Sequence, residues 1–215
     1  MKRWIVALVV LVGIAGVAIV FLLPRNSMDD DACTALAEKP TVVAFGDSLV
    51  TGYGTTDKGD FVSVLSNKLG VPIINLGRSG ETTASAHTRI TDVVQERPDI
   101  VIILLGGNDA LQRIPVGKTK ENLDAILTTL TQVSSVKTNV VLVGVLGSPI
   151  NDPYKTMFED LAKKHDVEYV PNVLSGIFGR QEFMSDQVHP NNAGHAKMAE
   201  RIYPYVVDTC KQVLP

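Results

Sequence analysis

Residues 100–109, IVIILLGGND, combine a long apolar run with a polar end and indicate the fold class of this chain. Its first six residues form an apolar run without polar alternation, which is typical of a strand buried on both faces. Such strands occur in parallel sheets that helices cover on both sides. The run ends in two glycines followed by Asn108 and Asp109, so polar side chains are expected at the carboxyl end of the strand, where open α/β sheets bind ligands.

On both sides of this stretch, short β-branched runs alternate with longer amphipathic segments. The candidate strands are Thr41–Phe45, Pro72–Leu76, Ile100–Leu105, Asn139–Val145 and Glu168–Val170. The candidate helices lie near residues 60–69, 82–95, 119–133, 153–164 and 192–211. The alternation predicts an α/β fold with right-handed crossovers, built on a doubly wound sheet of about five parallel strands.

A hydrophobic segment precedes this pattern. Residues Trp4–Leu23 are 20 residues without a charge, and at about 1.5 Å per residue a helix of that length crosses a hydrocarbon core of about 30 Å. Lys2 and Arg3 lie before it, so we expect one transmembrane helix with a cytoplasmic N-terminus and an extracytoplasmic remainder. A cleaved signal peptide, which would leave a secreted or periplasmic protein, is the alternative. Its apolar core is usually only about 7–15 residues long.

Composition excludes several classes of protein. With 20 Lys+Arg against 23 Asp+Glu the formal net charge is −3, which does not suit a nucleic-acid binder. The 45% of hydrophobic residues exclude a disordered chain. Two cysteines are too few for a four-cysteine zinc site, and no histidine pair has metal spacing, so no metal or cofactor is expected. Cys33 and Cys210 bracket the exported part, either as a disulfide or as two free thiols.

Four polar blocks follow predicted strands or precede the last helix. Ser48 needs an adjacent base to act as a nucleophile, and His189 is suited to that role. Asp186 precedes His189 by three residues and is predicted to orient its ring. The backbone N–H groups of Ser48 and Gly77 and the Asn108 amide are predicted to hold a developing oxyanion. In this interpretation Gly80 serves a turn, and His87, His165 and His195 are not catalytic.

These blocks and their order resemble the SGNH subgroup of the GDSL lipase/esterase superfamily. They are Ser48 in FGDSL, Gly77 in NLGRSGET, Asn108 in GGND and His189 in DQVHPN. The chain is most similar to the bacterial arylesterase, thioesterase I and lysophospholipase L1 branch, through GDSLVTGYG, SGETT and GGNDAL. The resemblance covers roughly residues 41–205. It implies a flavodoxin-like hydrolase fold in which Ser48, Asp186 and His189 form the catalytic triad.

The implied activity is that of a serine esterase that hydrolyses carboxylic esters or thioesters through an acyl-enzyme on Ser48. Its expected substrates are small acyl or aryl esters, or lipid esters such as lysophospholipids, near an apolar wall of Leu111, Ile114, Leu146 and Ile150. Two alternatives stay open, an O-acetylesterase for cell-envelope carbohydrate and a non-catalytic anchored binding domain. The predicted domain organisation is an anchor or signal sequence at residues 1–23, a tether at 24–39 and the hydrolase domain at 40–215.

Overall fold

The computed structural model describes residues 11–13, 16–18, 33–34, 39–133, 138–145 and 152–213. Two sheets occur among these residues, a short antiparallel pair near the N-terminus and a five-stranded parallel sheet. The strands are β1 Leu11–Gly13, β2 Gly16–Ala18, β3 Val42–Gly46, β4 Ile73–Gly77, β5 Ile100–Leu104, β6 Asn139–Val143 and β7 Glu168–Val170. The parallel sheet has the order β4-β3-β5-β6-β7, which confirms the predicted five-stranded doubly wound α/β fold.

Helices cover both faces of the parallel sheet. They are α1 Ser48–Thr51, α2 Phe61–Leu69, α3 Thr83–Thr88, α4 Ile90–Gln95, α5 Gly107–Leu111, α6 Val116–Thr128, α7 Pro153–His165 and α8 Asn192–Val213. One core layer packs alternate strand residues against α2 and α8, and the other packs the remaining strand residues against α3, α4, α6 and α7. The strands are therefore apolar on both faces because both faces are buried.

The strand order creates one place for a site. The first strand of the parallel sheet, β3, has β4 on one side and β5 on the other. The connection that follows β3 leads to β4, and the connection that follows β5 leads to β6 on the opposite side. A crevice forms at such a topological switch point, between the loops that diverge. At Gly46, the end of β3, an added Cβ would lie 2.0 Å from the Leu104 carbonyl oxygen. Only glycine permits the close approach of β3 and β5 at this edge.

The predicted helix over residues 82–95 is two helices. Helix α3 ends and α4 begins at Arg89, whose backbone departs from helical geometry at φ −119° and ψ 19°. The Arg89 side chain turns into the interior at this break and contacts Glu81. Periodicity does not predict this break, because a buried arginine continues neither an apolar nor a polar face.

The structure describes only part of the predicted anchor. Within residues 4–23 it describes Leu11–Gly13 and Gly16–Ala18, which pair as the antiparallel strands β1 and β2. The other residues of that segment lie outside the described ranges. No helix in the described part of the chain is long and apolar enough to cross a membrane. The anchor, the tether and the boundaries at residues 23 and 39 stay predictions.

A disulfide joins the predicted tether to the last helix. Of the two states that the sequence leaves open, the structure has Cys33 bonded to Cys210, with Cα atoms 5.2 Å apart and a sequence separation of 177. Both cysteines are buried, and Cys210 lies near the C-terminal end of α8. The disulfide therefore closes a loop that contains almost the whole folded domain.

Candidate active site

Ser48 is placed by a tight turn from strand to helix. Strand β3 ends at Gly46, and Asp47 caps α1 by accepting the Leu49 N–H on its side chain at 3.0 Å. Ser48 is the first residue of α1, so its own N–H lies at the open start of the helix. This N–H has no acceptor among the described residues. Ser48 thus presents a hydroxyl and a free backbone donor at the same point.

The structure brings His189 and Asp186 to Ser48. The Nε2 atom of His189 lies 3.1 Å from the Ser48 Oγ, and its Nδ1 lies 2.8 Å from Asp186 Oδ2. Asp186 Oδ1 also accepts the N–H groups of Val188 and His189, each at 2.8 Å. These contacts lower the pKa of the Asp186 carboxyl to about 2, and the hydrogen bond from the Val188 N–H makes the largest contribution. A carboxylate at Nδ1 fixes the tautomer that leaves Nε2 free to accept the serine proton.

Tyr53 is a member of the site that the sequence did not identify. Its ring lies against the His189 ring, with centroids 4.4 Å apart and a tilt of 48°. Its loop is tied to the start of α8, because Asn192 accepts the Thr56 N–H at 2.9 Å and donates to the Thr56 carbonyl at 3.2 Å. The glycines on both sides of Tyr53 indicate a turn, but no local pattern connects that turn with His189.

Asn108 is the second residue of α5. Its Nδ2 donates to the Glu81 carbonyl at 2.9 Å and lies 3.4 Å from Asp47 Oδ2. Burial raises the pKa of Asp47 to about 7, against the lowering effect of the Leu49 N–H. The Asn108 amide is therefore held between a backbone carbonyl and a buried carboxyl group, and lines the same cavity as Ser48.

The structure does not place Gly77 with the other predicted oxyanion donors, and we correct this prediction. The Gly77 N–H donates to the Asn75 Oδ1 at 2.9 Å. A Cβ on Gly77 would lie 2.5 Å from the Thr51 N, so this glycine permits packing against α1 and does not line the cavity. Gly80, whose backbone φ is +78°, lines the cavity instead of Gly77. The Gly80 N–H has no acceptor among the described residues. The turn at residues 78–81, rather than the end of β4, reaches the site.

An apolar cavity of about 410 Å³ opens beside Ser48 and His189. Its apolar lining consists of Leu49, Tyr53, Ala110, Leu111, Val145, Leu174, Phe178 and Val188. The large hydrophobic residues that are exposed in the described part of the chain all belong to this lining: Tyr53 at 54%, Leu111 at 61% and Phe178 at 54%. Of the predicted apolar wall, Leu111 lines the cavity, Ile114 does not, and Leu146 and Ile150 lie outside the described residues.

The other histidines lie apart from Ser48. His87 is exposed on α3, and His165, at the end of α7, lies 2.6 Å from Asp124 through its Nε2. His195 is fully buried on α8, where its Nδ1 accepts the Phe61 N–H at 3.1 Å. Among the residues that the structure describes, no cluster of three or more His, Cys, Asp or Glu side chains is arranged to hold a metal ion.

We expect His195 to make the stability of the domain dependent on pH. Burial lowers its pKa from 6.5 to about 4, because the cation is disfavoured there. Between pH 6.5 and pH 4 the imidazole is therefore protonated in the unfolded chain and neutral in the folded chain. The stability that the neutral, folded form contributes is present above pH 6.5 and is lost as the pH falls toward 4. We expect this group to lower the free energy of unfolding by about 2 kcal/mol between pH 7 and pH 5.

Urea unfolding of the unsubstituted protein and of His195→Asn at both pH values measures this contribution. The asparagine keeps an acceptor for the Phe61 N–H. Asp47, whose raised pKa has the opposite effect in this range, is common to both proteins and cancels in the difference. The stability difference between the two proteins should change by about 2 kcal/mol in favour of the variant on acidification. A difference independent of pH would contradict the prediction.

Comparison with known proteins adds a family to this geometry. The profile of the GDSL-like lipase/acylhydrolase family matches residues 44–197. Esterase TesA of Pseudomonas aeruginosa is 27% identical over 183 residues, which cover 80% of this chain and 90% of that protein. Thioesterase 1/protease 1/lysophospholipase L1 of Escherichia coli K12 is 25% identical over 170 residues, 76% and 82% of the two chains. The solved structure of esterase EstA from Pseudoalteromonas sp., inhibited by monoethylphosphonate, matches with a TM-score of 0.68 and 25% identity, over 79% of this chain and 97% of that one.

Proposed function

This chain belongs to the GDSL-like lipase/acylhydrolase family and is a serine esterase, and we propose that its reaction passes through an acyl-enzyme on Ser48. The observation that carries the proposal is the hydrogen-bonded series Asp186–His189–Ser48 beside an apolar cavity. The cavity supplies a place for the acyl part of an ester next to the nucleophile.

In the first half-reaction the Ser48 oxygen attacks the carbonyl carbon of the ester. Its proton passes to Nε2 of His189, which lies 3.1 Å away, while the carbonyl electron pair moves onto oxygen. Asp186 stays ionised, because the pKa of its carboxyl is low, and stabilises the imidazolium. When the tetrahedral intermediate collapses, His189 returns the proton to the leaving alcohol or thiol. In the second half-reaction water attacks the acyl-enzyme with His189 again as base.

We propose that the Ser48 N–H, the Gly80 N–H and the Asn108 side chain hold the oxyanion. The Asn108→Ala substitution is expected to lower kcat about 10²–10³-fold with little change in KM, because this donor acts on charge that forms only in the transition state. The measurement is steady-state hydrolysis of a p-nitrophenyl ester. Asn139→Ala, at the amino-terminal end of β6, is the control. A kcat for Asn108→Ala close to that of the control would exclude the amide from the oxyanion site.

We propose that the substrate is an ester or thioester with an acyl chain or aryl group that fills the apolar cavity. Leu111 and Phe178 lie exposed at its rim and offer apolar surface to a chain that extends beyond it. The Leu111→Ser substitution is expected to lower kcat/KM about tenfold for p-nitrophenyl laurate and to leave p-nitrophenyl acetate unchanged, because only the longer chain reaches the side chain. Equal losses for both esters would contradict this placement of the chain.

The same panel separates the remaining substrate classes. It includes a fatty acyl thioester, a lysophospholipid and an acetylated glycan beside p-nitrophenyl esters from acetate to laurate. A preference for the acetylated glycan over every acyl chain would replace our assignment with an O-acetylesterase of cell-envelope carbohydrate. An inactive protein that binds one of these molecules would instead indicate a binding domain.

We also propose that residues 4–23 hold the enzyme at a membrane, with the catalytic domain outside the cytoplasm. A buried disulfide is consistent with an oxidising, exported location. Cys210 lies 18 residues after Asn192 in α8, about 27 Å along the helix, so the tether joins the domain at the end away from His189. Membrane fractionation, and protease accessibility of spheroplasts in which the outer face of the cytoplasmic membrane is exposed, test the location. Release by high salt, or protection from added protease, would contradict it.

A further inference from the structure

Arg89 lies buried beneath the turn that carries Gly80. Its Nε donates to Glu81 Oε1 at 2.6 Å, and its Nη2 also contacts the other carboxylate oxygen of Glu81. The same Nη2 lies 2.9 Å from the Leu76 carbonyl and 3.5 Å from the Gly46 carbonyl. The guanidinium thus joins the last residues of β3 and β4 to the turn that follows β4.

Glu81 connects Arg89 with two of the candidate oxyanion donors, the Gly80 N–H and the Asn108 side chain. It directly follows Gly80, and its N–H closes the turn by donating to the Arg78 carbonyl at 3.2 Å. Its own carbonyl accepts the Asn108 Nδ2 at 2.9 Å. Any movement of Glu81 therefore displaces the Gly80 N–H and the Asn108 amide together.

The energetics of the pair do not explain its presence by stability. The Glu81 and Arg89 side chains are 6% and 7% exposed, so both charges have lost most of their hydration. Buried ion pairs of this kind are often no more stabilising than apolar residues of the same size. Neither residue lines the cavity, so neither contacts the substrate. What the pair does supply is a rigid, charge-assisted connection between three backbone segments.

We propose that the Glu81–Arg89 ion pair is the positioning element of the oxyanion site. It sets the distance of the Gly80 and Asn108 donors from Ser48. Ser48 follows strand β3, and Arg89 also contacts the Gly46 carbonyl at the end of that strand. This inference rests on the proposed acyl-enzyme mechanism. It assigns the pair to transition-state stabilisation and not to proton transfer, because the series Asp186–His189–Ser48 has no contact with it among the described hydrogen bonds.

Glu81→Gln and Arg89→Lys test this role in the complete enzyme. Glutamine keeps the shape of Glu81 without its charge, and lysine keeps the charge of Arg89 without its fork of donors. We expect kcat to fall about 10–100-fold in both variants, with KM unchanged within about threefold. Titration with a fluorophosphonate counts the competent active sites, so that kcat is expressed per folded site. Glu121→Gln, which removes a charge from the exposed Lys118–Glu121 pair, should leave kcat unchanged.

Two further readouts separate positioning from a general loss of structure. The rate constant of phosphonylation should fall in parallel with kcat/KM, because that reaction also places a negatively charged oxygen in the oxyanion site. The pKa seen in the acid limb of the kcat/KM profile should stay that of the unsubstituted enzyme, because His189 and its partners are unaltered. If Arg89→Lys does not fold, the isosteric Glu81→Gln variant decides the outcome.

If the kcat per titrated site of Glu81→Gln is within twofold of that of the unsubstituted enzyme, the positioning role is overturned. A shift of the acid limb with unchanged phosphonylation at high pH overturns it as well, since the pair would then act on His189. Failure of the mechanism itself has a different signature: Ser48→Ala would keep its activity. The positioning role fails alone when Ser48→Ala is inactive and Glu81→Gln reacts at the unsubstituted rate.

Discussion

Replacing Ser48 with alanine is expected to lower kcat for ester hydrolysis at least about 10⁴-fold and to abolish labelling by a fluorophosphonate. The substitution removes the only atom that can form the acyl-enzyme, and the oxyanion donors alone leave a small residual rate. The side chain is small and its backbone is helical, so alanine fits α1 without strain. The loss should therefore occur in a folded protein with an unchanged unfolding midpoint.

Two comparisons make this result specific. Ser175→Ala, at an exposed position that does not belong to the cavity lining, should retain both activity and labelling. His189→Ala should lose activity on a similar scale to Ser48→Ala, because the two residues act as a unit. An unsubstituted protein that is folded but does not label would contradict the proposed mechanism and would favour a non-catalytic domain on the same fold.

Loss of the Cys33–Cys210 disulfide is expected to lower the free energy of unfolding by up to about 5 kcal/mol. The bond joins cysteines that are 177 positions apart in the sequence, and in the chain-entropy model the unfolded state gains most entropy from opening a long loop. Urea unfolding of the Cys33→Ser/Cys210→Ser double variant should show a midpoint about 2 M lower. The loss of stability arises mainly because the unfolded chain gains conformational entropy when the bond is absent, so the contacts of the folded protein need not change.

Activity in the absence of denaturant is the control for the disulfide variant. The bond lies near the C-terminal end of α8, whereas His189 precedes the N-terminal end of that helix, so kcat should be retained. A reducing agent should destabilise the unsubstituted protein to the level of the double variant. An unchanged midpoint, or two free thiols in a mass measurement under oxidising conditions, would contradict the prediction.

The parallel sheet could be predicted from the sequence because its signal is local. Residues 100–105 are apolar at every position, and this pattern is typical of a strand that is buried on both faces. The carboxyl ends of parallel strands meet at one edge, so the positions of Ser48 and Asn108 near one cavity follow from the sheet. Asp186 and His189 are close in sequence, and their hydrogen bond forms within one loop.

The parts that were missed depend on contacts between distant segments. Gly77 is the last residue of β4 and Gly80 lies three residues after it, and the sequence alone does not state which N–H is already occupied. Asn75 occupies that of Gly77, and the turn at residues 78–81 brings Gly80 to the cavity. Tyr53 reaches His189 only because α8 holds its loop. Arg89 interrupts a helical pattern because its charge is satisfied by Glu81 and by two strand ends.

Hydrophobic periodicity is a property of local sequence, so the backbone segments that form the sheet, and the chemical groups that gather at the carboxyl ends of its strands, could be predicted without the structure. The tertiary structure alone decided which of those groups have free donors, which ring lies against His189, and how a buried ion pair connects the oxyanion turn with Asn108. These features depend on distances between side chains far apart in the chain, and the occupied Gly77 N–H and the free Gly80 N–H are only three residues apart.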